Sequence, residues 1–458
     1  MKNSSSNNNE YIKNLFYEAL SLQNKNEYNK AVEIYYKILD IKDDFAEVYN
    51  NLGIIYKEQG HLEKSFIFCT KALSINPLMV EPLYILSNIE YITGYDNILI
   101  IAVNYAIEKH TEINNIDKWL FLFKPESSYS HFAYANILKK IGKIEDAIKH
   151  YDLSIQKYEG AGWSFTNRSI LLIKKHYKNF LIENKNYIKI KKTKENYNGV
   201  ITMSDLGLLG RFGNQILQYM FLKLCALRNN LKVETPDWLG RYMFEACKDE
   251  NISYCLKRLE ISDFVKNGLK IESKKLINKD IRGFIEFPII ADKREKSFLI
   301  SLFEPISFWK NKLDKGYNIL QKMGNTIISF HLRRGDFINS KQWIPDIDLY
   351  ILWLEKNWKK FKNPVLYIAS DDVFNVKKIF HKYRPLTRRD IIEKIYGIDF
   401  FIDHYILKKS NIVIVSPEST FSLTASMLNI SGSHFFIPEK NKNCIIQFDP
   451  WNYSINSD

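Results

Sequence analysis

Cysteine is scarce in this chain. Five are scattered through 458 residues (Cys69, Cys225, Cys247, Cys255 and Cys444), and no two form a CxxC pair. Such usage excludes a disulfide scaffold or a cysteine-based zinc site and points to reduced thiols in a cytoplasmic protein. A run of about 18 apolar residues, the length of a membrane-spanning helix, is also missing. The opening MKNSSSNNNE lacks the apolar stretch of a signal peptide. Acidic residues are outnumbered, 52 against 65 basic ones, for a net charge of +13. The lysines are dispersed and often lie beside glutamate, so the surplus forms no nucleic-acid stripe. The expectation is a soluble cytoplasmic protein without a nucleic-acid partner, with peripheral attachment at the inner membrane face left open. A hydrophobic fraction of 46% supports sizeable cores, and the length implies two or three domains.

What is present begins with a repeat. The segment AEVYNNLGIIYKEQGHLEKSFIFCTKALSINP (46–77) places Tyr49, Leu52-Gly53, Tyr56, Gly60, Ser65, Ala72 and Pro77 as two paired helices require. Small residues let the helices approach, aromatics fill the space between them, and proline stops the second. Asn26 lies 34 positions before Gly60 and Gly94 lies 34 after it, while Gly142 and Ala147 repeat the roles after an insertion. The pattern resembles the tetratricopeptide repeat. The expected division is an unstructured start at 1–10 and a repeat array at 11–165. Its groove either binds a peptide or partner protein, or the array is a spacer or dimerisation arm. Residues 166–198 read as a closing helix and a lysine-rich linker, either a solvated connector or a contact for anionic lipid.

From 199 the pattern changes to short apolar runs alternating with helical segments. GVITM is a strand candidate, and QILQYMFLKLCALRNN is a helix with Ile216, Tyr219, Met220, Leu224 and Leu227 on its apolar face. Between about 235 and 315 no strand order can be read. Further on, TIISFHL (326–332), PVLYIAS (364–370), NIVIVS (411–416) and HFFIPE (434–439) alternate with helices. This predicts an α/β fold with a mostly parallel sheet covered on both faces, and ligands beyond the strands' carboxyl ends.

Those ends carry unusual residues. Arg333, Arg334 and Asp336 follow the first run, Asp371 and Asp372 the second, and Ser416-Pro417-Glu418-Ser419-Thr420 the third. Two adjacent guanidinium groups repel unless an anion rewards them. Hydroxyls at a helix start beside arginine suit phosphate, and paired acids suit a base edge or a ribose diol. Together they describe a nucleotide-diphosphate site without a P-loop lysine or a GxGxxG fingerprint. Singly, each motif also reads as an ion-paired turn or an N-cap.

GRFGNQ, HLRRGDF and SPESTFSLTASML, in that order, resemble the α-1,2-fucosyltransferase family, whose members carry GGLGNQ, HxRRxDY and N-S-(S/T)-F-S-W-W. IASDD is similar to an element of α-1,6- and protein O-fucosyltransferases. The resemblance covers about 199–455. It implies a GT-B-like domain of two Rossmann-like halves over 199–458, a GDP-β-L-fucose donor, and inverting transfer to a glycan without metal or other cofactor. It places Arg333 on the β-phosphate and His331 with Asp371 or Asp372 on guanine. Ser419 and Thr420, within a loop running from Ser416 through Glu418 to Phe421, would hold phosphate oxygens. Gly213, Asn214 and Gln215 would face sugar and acceptor. Arg211, Glu418 and Leu423-Thr424 depart from the family pattern, which touches acceptor and linkage rather than phosphate binding.

In this chemistry the anomeric C–O bond breaks while charge gathers on the departing diphosphate, which Arg333 and Arg334 stabilise. Asp336 is either the general base or an arginine-orienting carboxylate, with Glu418 a further base candidate. The competing functions are a transferase using another nucleotide sugar or a protein acceptor, and a repeat scaffold with an inactive domain. A metal-dependent enzyme using Asp371-Asp372 lacks the D-x-D spacing.

Overall fold

The structure, a computed structural model, describes residues 2–93, 98–110, 115–158, 161–183, 196–252, 256–261, 275–286, 288–334 and 343–453. Gly94, Cys255 and Asp336 lie outside them. Among the described residues eleven helices come first: α1 (Lys2–Asn24), α2 (Tyr28–Ile41), α3 (Ala46–Glu58), α4 (Leu62–Ile75), α5 (Val80–Thr93), α6 (Ile98–Glu108), α7 (Ile116–Leu122), α8 (Ser128–Lys140), α9 (Ile144–Lys157), α10 (Gly162–His176) and α11 (Lys178–Glu183). The first helix runs through the polar stretch 2–10 that the sequence reading left without structure. Once the amphipathic segment after it forms a helix, extension by a few residues costs little.

The turns within helix pairs fall at the positions set by the repeat phase. Asn26, Gly60 and Gly142 all adopt left-handed backbone, with φ of 60°, 82° and 80°. Asparagine and glycine tolerate that region best, which is why those residue types mark the phase. Gly53 explains the close helix pairing, since a Cβ there would lie 2.6 Å from Cys69 Sγ.

Two five-stranded sheets follow. The first has β1 (Val200–Thr202), β2 (Lys232–Thr235), β3 (Glu250–Asn251), β4 (Lys257–Glu260) and β5 (Lys279–Arg282), in the order β3-β2-β1-β5-β4. All four pairings are parallel. The second has β6 (Thr326–Leu332), β7 (Pro364–Ser370), β8 (Ile412–Ile414), β9 (His434–Glu439) and β10 (Cys444–Gln447), in the order β10-β9-β8-β6-β7. It is parallel except for its β9–β10 edge. Two Rossmann-like halves result, a GT-B-like pairing behind a helical solenoid. The helix α12 (Phe212–Asn229) links β1 to β2 and is buried on nearly all sides, while Leu227 of the expected apolar face stays 48% exposed.

One apolar core joins the last repeat helices to both halves, from Ile170, Ile173 and Phe180 through Met220 and Trp309 to Tyr367 and Val413. Phe180 stacks on Phe308 at 4.4 Å, and Phe165 meets Phe400 at 5.2 Å. Helices α10 and α11 are therefore built into the α/β region rather than separating it from the array. Among the described residues no helix is long and apolar enough to cross a membrane.

Candidate functional site

The central strand of the second half decides the site. β6 lies between β8 and β7, paired Phe330 to Ile414 and Leu332 to Ser370, so the carboxyl ends of these three strands are neighbours. Their trailing residues meet there: Arg333 and Arg334, Asp371 and Asp372, and the loop Ser416–Thr420.

Cross-links fix this edge. Ser370 Oγ donates to the Leu332 carbonyl at 2.7 Å, and the Arg334 backbone N–H donates to Asp371 at 2.9 Å. Behind them Arg388 donates to the Ser370 carbonyl at 3.1 Å and pairs with buried Asp403, which also accepts from Tyr367 at 2.6 Å. Burial pushes the Asp403 carboxyl up to about 6 against the pull of Arg388. The backbone before Asp371 is thus held from below.

The two acids have different positions. Asp372 is the N-cap of the helix Val373–Ile379 and accepts from the Asn375 amide side chain at 2.8 Å, so its carboxylate is committed to the helix. Asp371 is exposed at the strand end. Of the pair left open by the sequence, Asp371 is the one bonded to the Arg334 backbone rather than to a helix start.

The hydroxyl loop has the sharper geometry. Glu418 adopts left-handed backbone, φ 57°, which turns the chain into the helix Thr420–Met427. Ser419 occupies the N-cap position but makes no capping bond; its Oγ is buried and has no hydrogen-bond partner among the described residues. Arg334 Nε is likewise buried without a partner, while its Nη2 donates to the Pro345 carbonyl. Two polar atoms left unsatisfied at a helix start and a strand end incur a desolvation cost that a bound anion would offset. Ser416 is buried with its N–H directed to Ser422 Oγ at 3.3 Å, and that hydroxyl lies 3.0 Å from His331 Nδ1. His331 is 8% exposed, with Phe421 against its ring at 5.1 Å.

Ser422 and His404 are positional residues that sequence reasoning passed over. Ser422 ends the S-T-F-S motif, a signal that could have found it. His404 lies on a helix, Phe400–Lys409, that carries no motif. Its ring is buried between Phe212 and Phe421, 3.2 Å from Thr424 Oγ1. Burial, with Lys408 nearby, pushes its imidazole down to about 3, so it is a neutral wall of the site.

The N-terminal loop differs from expectation. Gly213 is a spacer between the halves, since a Cβ there would lie 2.5 Å from the Phe421 backbone nitrogen. Gln215 is fully buried and donates to Thr166 Oγ1 of α10 at 2.9 Å, so it faces the repeats rather than sugar or acceptor. Asn214 is half-buried and folds over Gly210. Asp336 falls outside the described residues. Among the described residues no cluster of three or more His, Cys, Asp or Glu side chains could hold a metal ion.

A family model described as tetratricopeptide repeat matches residues 46–77. No curated protein matches the sequence. Among solved structures the chain is similar to fucosyltransferase NodZ from Bradyrhizobium, at 14% identity over 56% of this chain and 99% of that one, with a TM-score of 0.39. It is also similar to a mutant of Arabidopsis thaliana FUT1 in complex with GDP, at 12% identity over 60% and 80%, with a TM-score of 0.38. YrrB, a TPR protein with an unusual peptide-binding site, overlaps 36% of this chain and 77% of its own at 16% identity, with a TM-score of 0.26. At TM-scores this low none of these likenesses decides function.

Proposed function

We propose that this protein is a glycosyltransferase that moves L-fucose from GDP-β-L-fucose to a hydroxyl of a glycan, with inversion and without a metal. The observation that carries this reading is the buried, unpartnered Ser419 Oγ at a helix start on the strand edge that also bears Arg333 and Arg334. These groups suit the donor diphosphate: Ser419, Thr420 and the helix N–H groups would hold phosphate oxygens, and Arg333 would take the β-phosphate. Asp371 and His331 would read the base. As the acceptor oxygen attacks the anomeric carbon, the bond to the β-phosphate oxygen breaks. The arginines stabilise the charge left on GDP, and the acceptor proton passes to a carboxylate, for which Asp336 is the leading candidate.

Thermal stabilisation by nucleotides tests the donor class. GDP should raise the melting temperature and UDP should not, and transfer should persist in EDTA. Stabilisation by UDP alone would assign another nucleotide sugar. Full loss of activity in EDTA, restored by manganese, would overturn the arginine-based mechanism.

A further inference from the structure

The repeat array lies across the carboxyl ends of the first sheet, the edge where parallel sheets take ligands. Glu58 of α3 pairs with Arg258 of β4 and Arg282 of β5. Tyr91 of α5 donates to the Leu206 carbonyl at 2.7 Å, and Thr166 of α10 donates to the Gly207 carbonyl at 2.7 Å. Between these docking points remains a cleft of about 430 Å³, walled by α5, α8 and α10 on one side and by residues 237–251 beyond β2 on the other.

Its lining is charged and asymmetric. Lys139, Lys140, Lys174, Arg241 and Lys248 face three carboxylates, a surplus of two positive charges (five less three). Most of these charges are engaged: Glu90 pairs with Lys140, Lys248 with Glu245 and Asp249 with Lys223, Asp237 accepts from Tyr242, Lys139 donates to Asn167, and Arg241 Nη2 donates to the Thr235 and Asp249 carbonyls. The Arg241 Nε is buried without a hydrogen-bond partner. Amides of Asn136 and Asn167 and the rings of Tyr91 and Tyr242 complete the walls. Such a lining suits a compact, hydroxyl-rich anion. An extended peptide following the inner face of the array would run into the sheet docked at α3 and α5.

We propose that this composite cleft binds the acceptor, and that the acceptor is an anionic saccharide. The repeats read it directly, as one wall of the substrate site. The proposal rests on the transferase reading above, because it assigns the saccharide as acceptor.

The test uses the full chain and calorimetry at low salt with three probes: a galacturonic acid hexasaccharide, neutral maltohexaose and a hexaglutamate peptide. The acidic saccharide should bind saturably and more tightly than either other probe. Combining Lys139→Glu with Lys174→Glu should weaken it about tenfold, and the milder Lys139→Gln with Lys174→Gln about threefold, since each removes attraction in a partly shielded site. Melting temperatures of both variants check that they fold. Tighter binding of hexaglutamate would make this a peptide groove, and saccharide binding that ignores both variants would also overturn the proposal. The donor reading is read apart, from stabilisation of the wild-type protein by GDP.

Discussion

Replacing Glu58 by glutamine tests how firmly the array is docked. Glu58 closes α3 and receives Arg258 Nη1 at 2.6 Å, Arg282 Nη1 at 2.8 Å and Lys57 Nζ at 3.0 Å. Asp205 and Asp280 complete the cluster, with Asp205 2.6 Å from Arg282 Nε and both acids 3.6 Å from Arg258. Burial opposes ionisation of Glu58, but Lys57, Arg258 and Arg282 outweigh it and hold the carboxyl at about 2. Against the usual 4.5 that is about 2.5 pH units, or at most ~3.4 kcal/mol at 1.36 kcal/mol each. Glutamine keeps the shape and some hydrogen bonding, and both arginines keep an acid, so the expected loss is about 2 kcal/mol.

The pH dependence has a fixed sign. A carboxyl whose folded pKa is depressed contributes stability above its unfolded pKa and loses it as pH falls toward the folded value. The gap between wild type and Glu58→Gln, from urea midpoints, should be level from pH 7 to 5 and narrow from pH 4.5 toward 3. A double cycle with Arg282→Gln should give a coupling of about 1 kcal/mol. A Glu58→Gln protein within ~0.5 kcal/mol of wild type at pH 7, the scale of an ordinary surface change, would refute the docking argument.

Three further outcomes follow from the site. Arg333→Lys keeps charge but loses the planar fork, so kcat should fall about 10²–10³-fold with the melting temperature unchanged; normal turnover and GDP binding in Arg333→Ala would exclude the phosphate role. Ser419→Ala should weaken GDP about three- to tenfold without loss of stability, because its Oγ makes no internal bond, whereas a capping serine would cost about 1 kcal/mol in the melt. His404, held near 3, makes stability fall by about 1.4 kcal/mol per unit as pH drops below 6.5, while Asp403, raised to about 6, acts in the opposite sense below 6. Denaturation of His404→Gln between pH 6 and 4 should then lean toward greater stability at the acid end, and an unchanged profile would contradict a neutral buried imidazole.

Local patterns carried much of this into view. The repeat turns are legible because left-handed backbone selects asparagine or glycine at 26, 60 and 142. The strand ends at 332 and 370 are legible because buried parallel strands read as unbroken apolar runs that stop at polar residues, while the third strand stops at 414, two residues short of the run. What escaped is tertiary. β3 has two residues, and β4 reads Lys-Arg-Leu-Glu, which is polar because its Arg258 turns toward the repeats. Glu58, Asp205, Arg258, Asp280 and Arg282 meet across more than two hundred positions with no periodicity to announce it. Gln215 belongs to a motif expected to face substrate, and only its partner Thr166 reveals that it points the other way.

That contact changes how the chain divides. α10 touches the first half through Thr166 and the Gly207 carbonyl, and the second half through Phe165 on Phe400 and the Ser169 carbonyl beneath Gly397. Tyr177, just after it, meets Trp309 at 5.0 Å and accepts from the Tyr396 N–H at 3.1 Å. A helix bonded to both halves limits how far they can part without leaving one of them. A cut at residue 165 would sever α10 and strip this brace, and a start at 199 would also bare the core around Ile173 and Phe180. The smallest unit that keeps the donor edge packed therefore begins no later than Gly162. The helical array is continuous with that unit, so loss of activity on removing it would report a damaged core before it reported a lost partner.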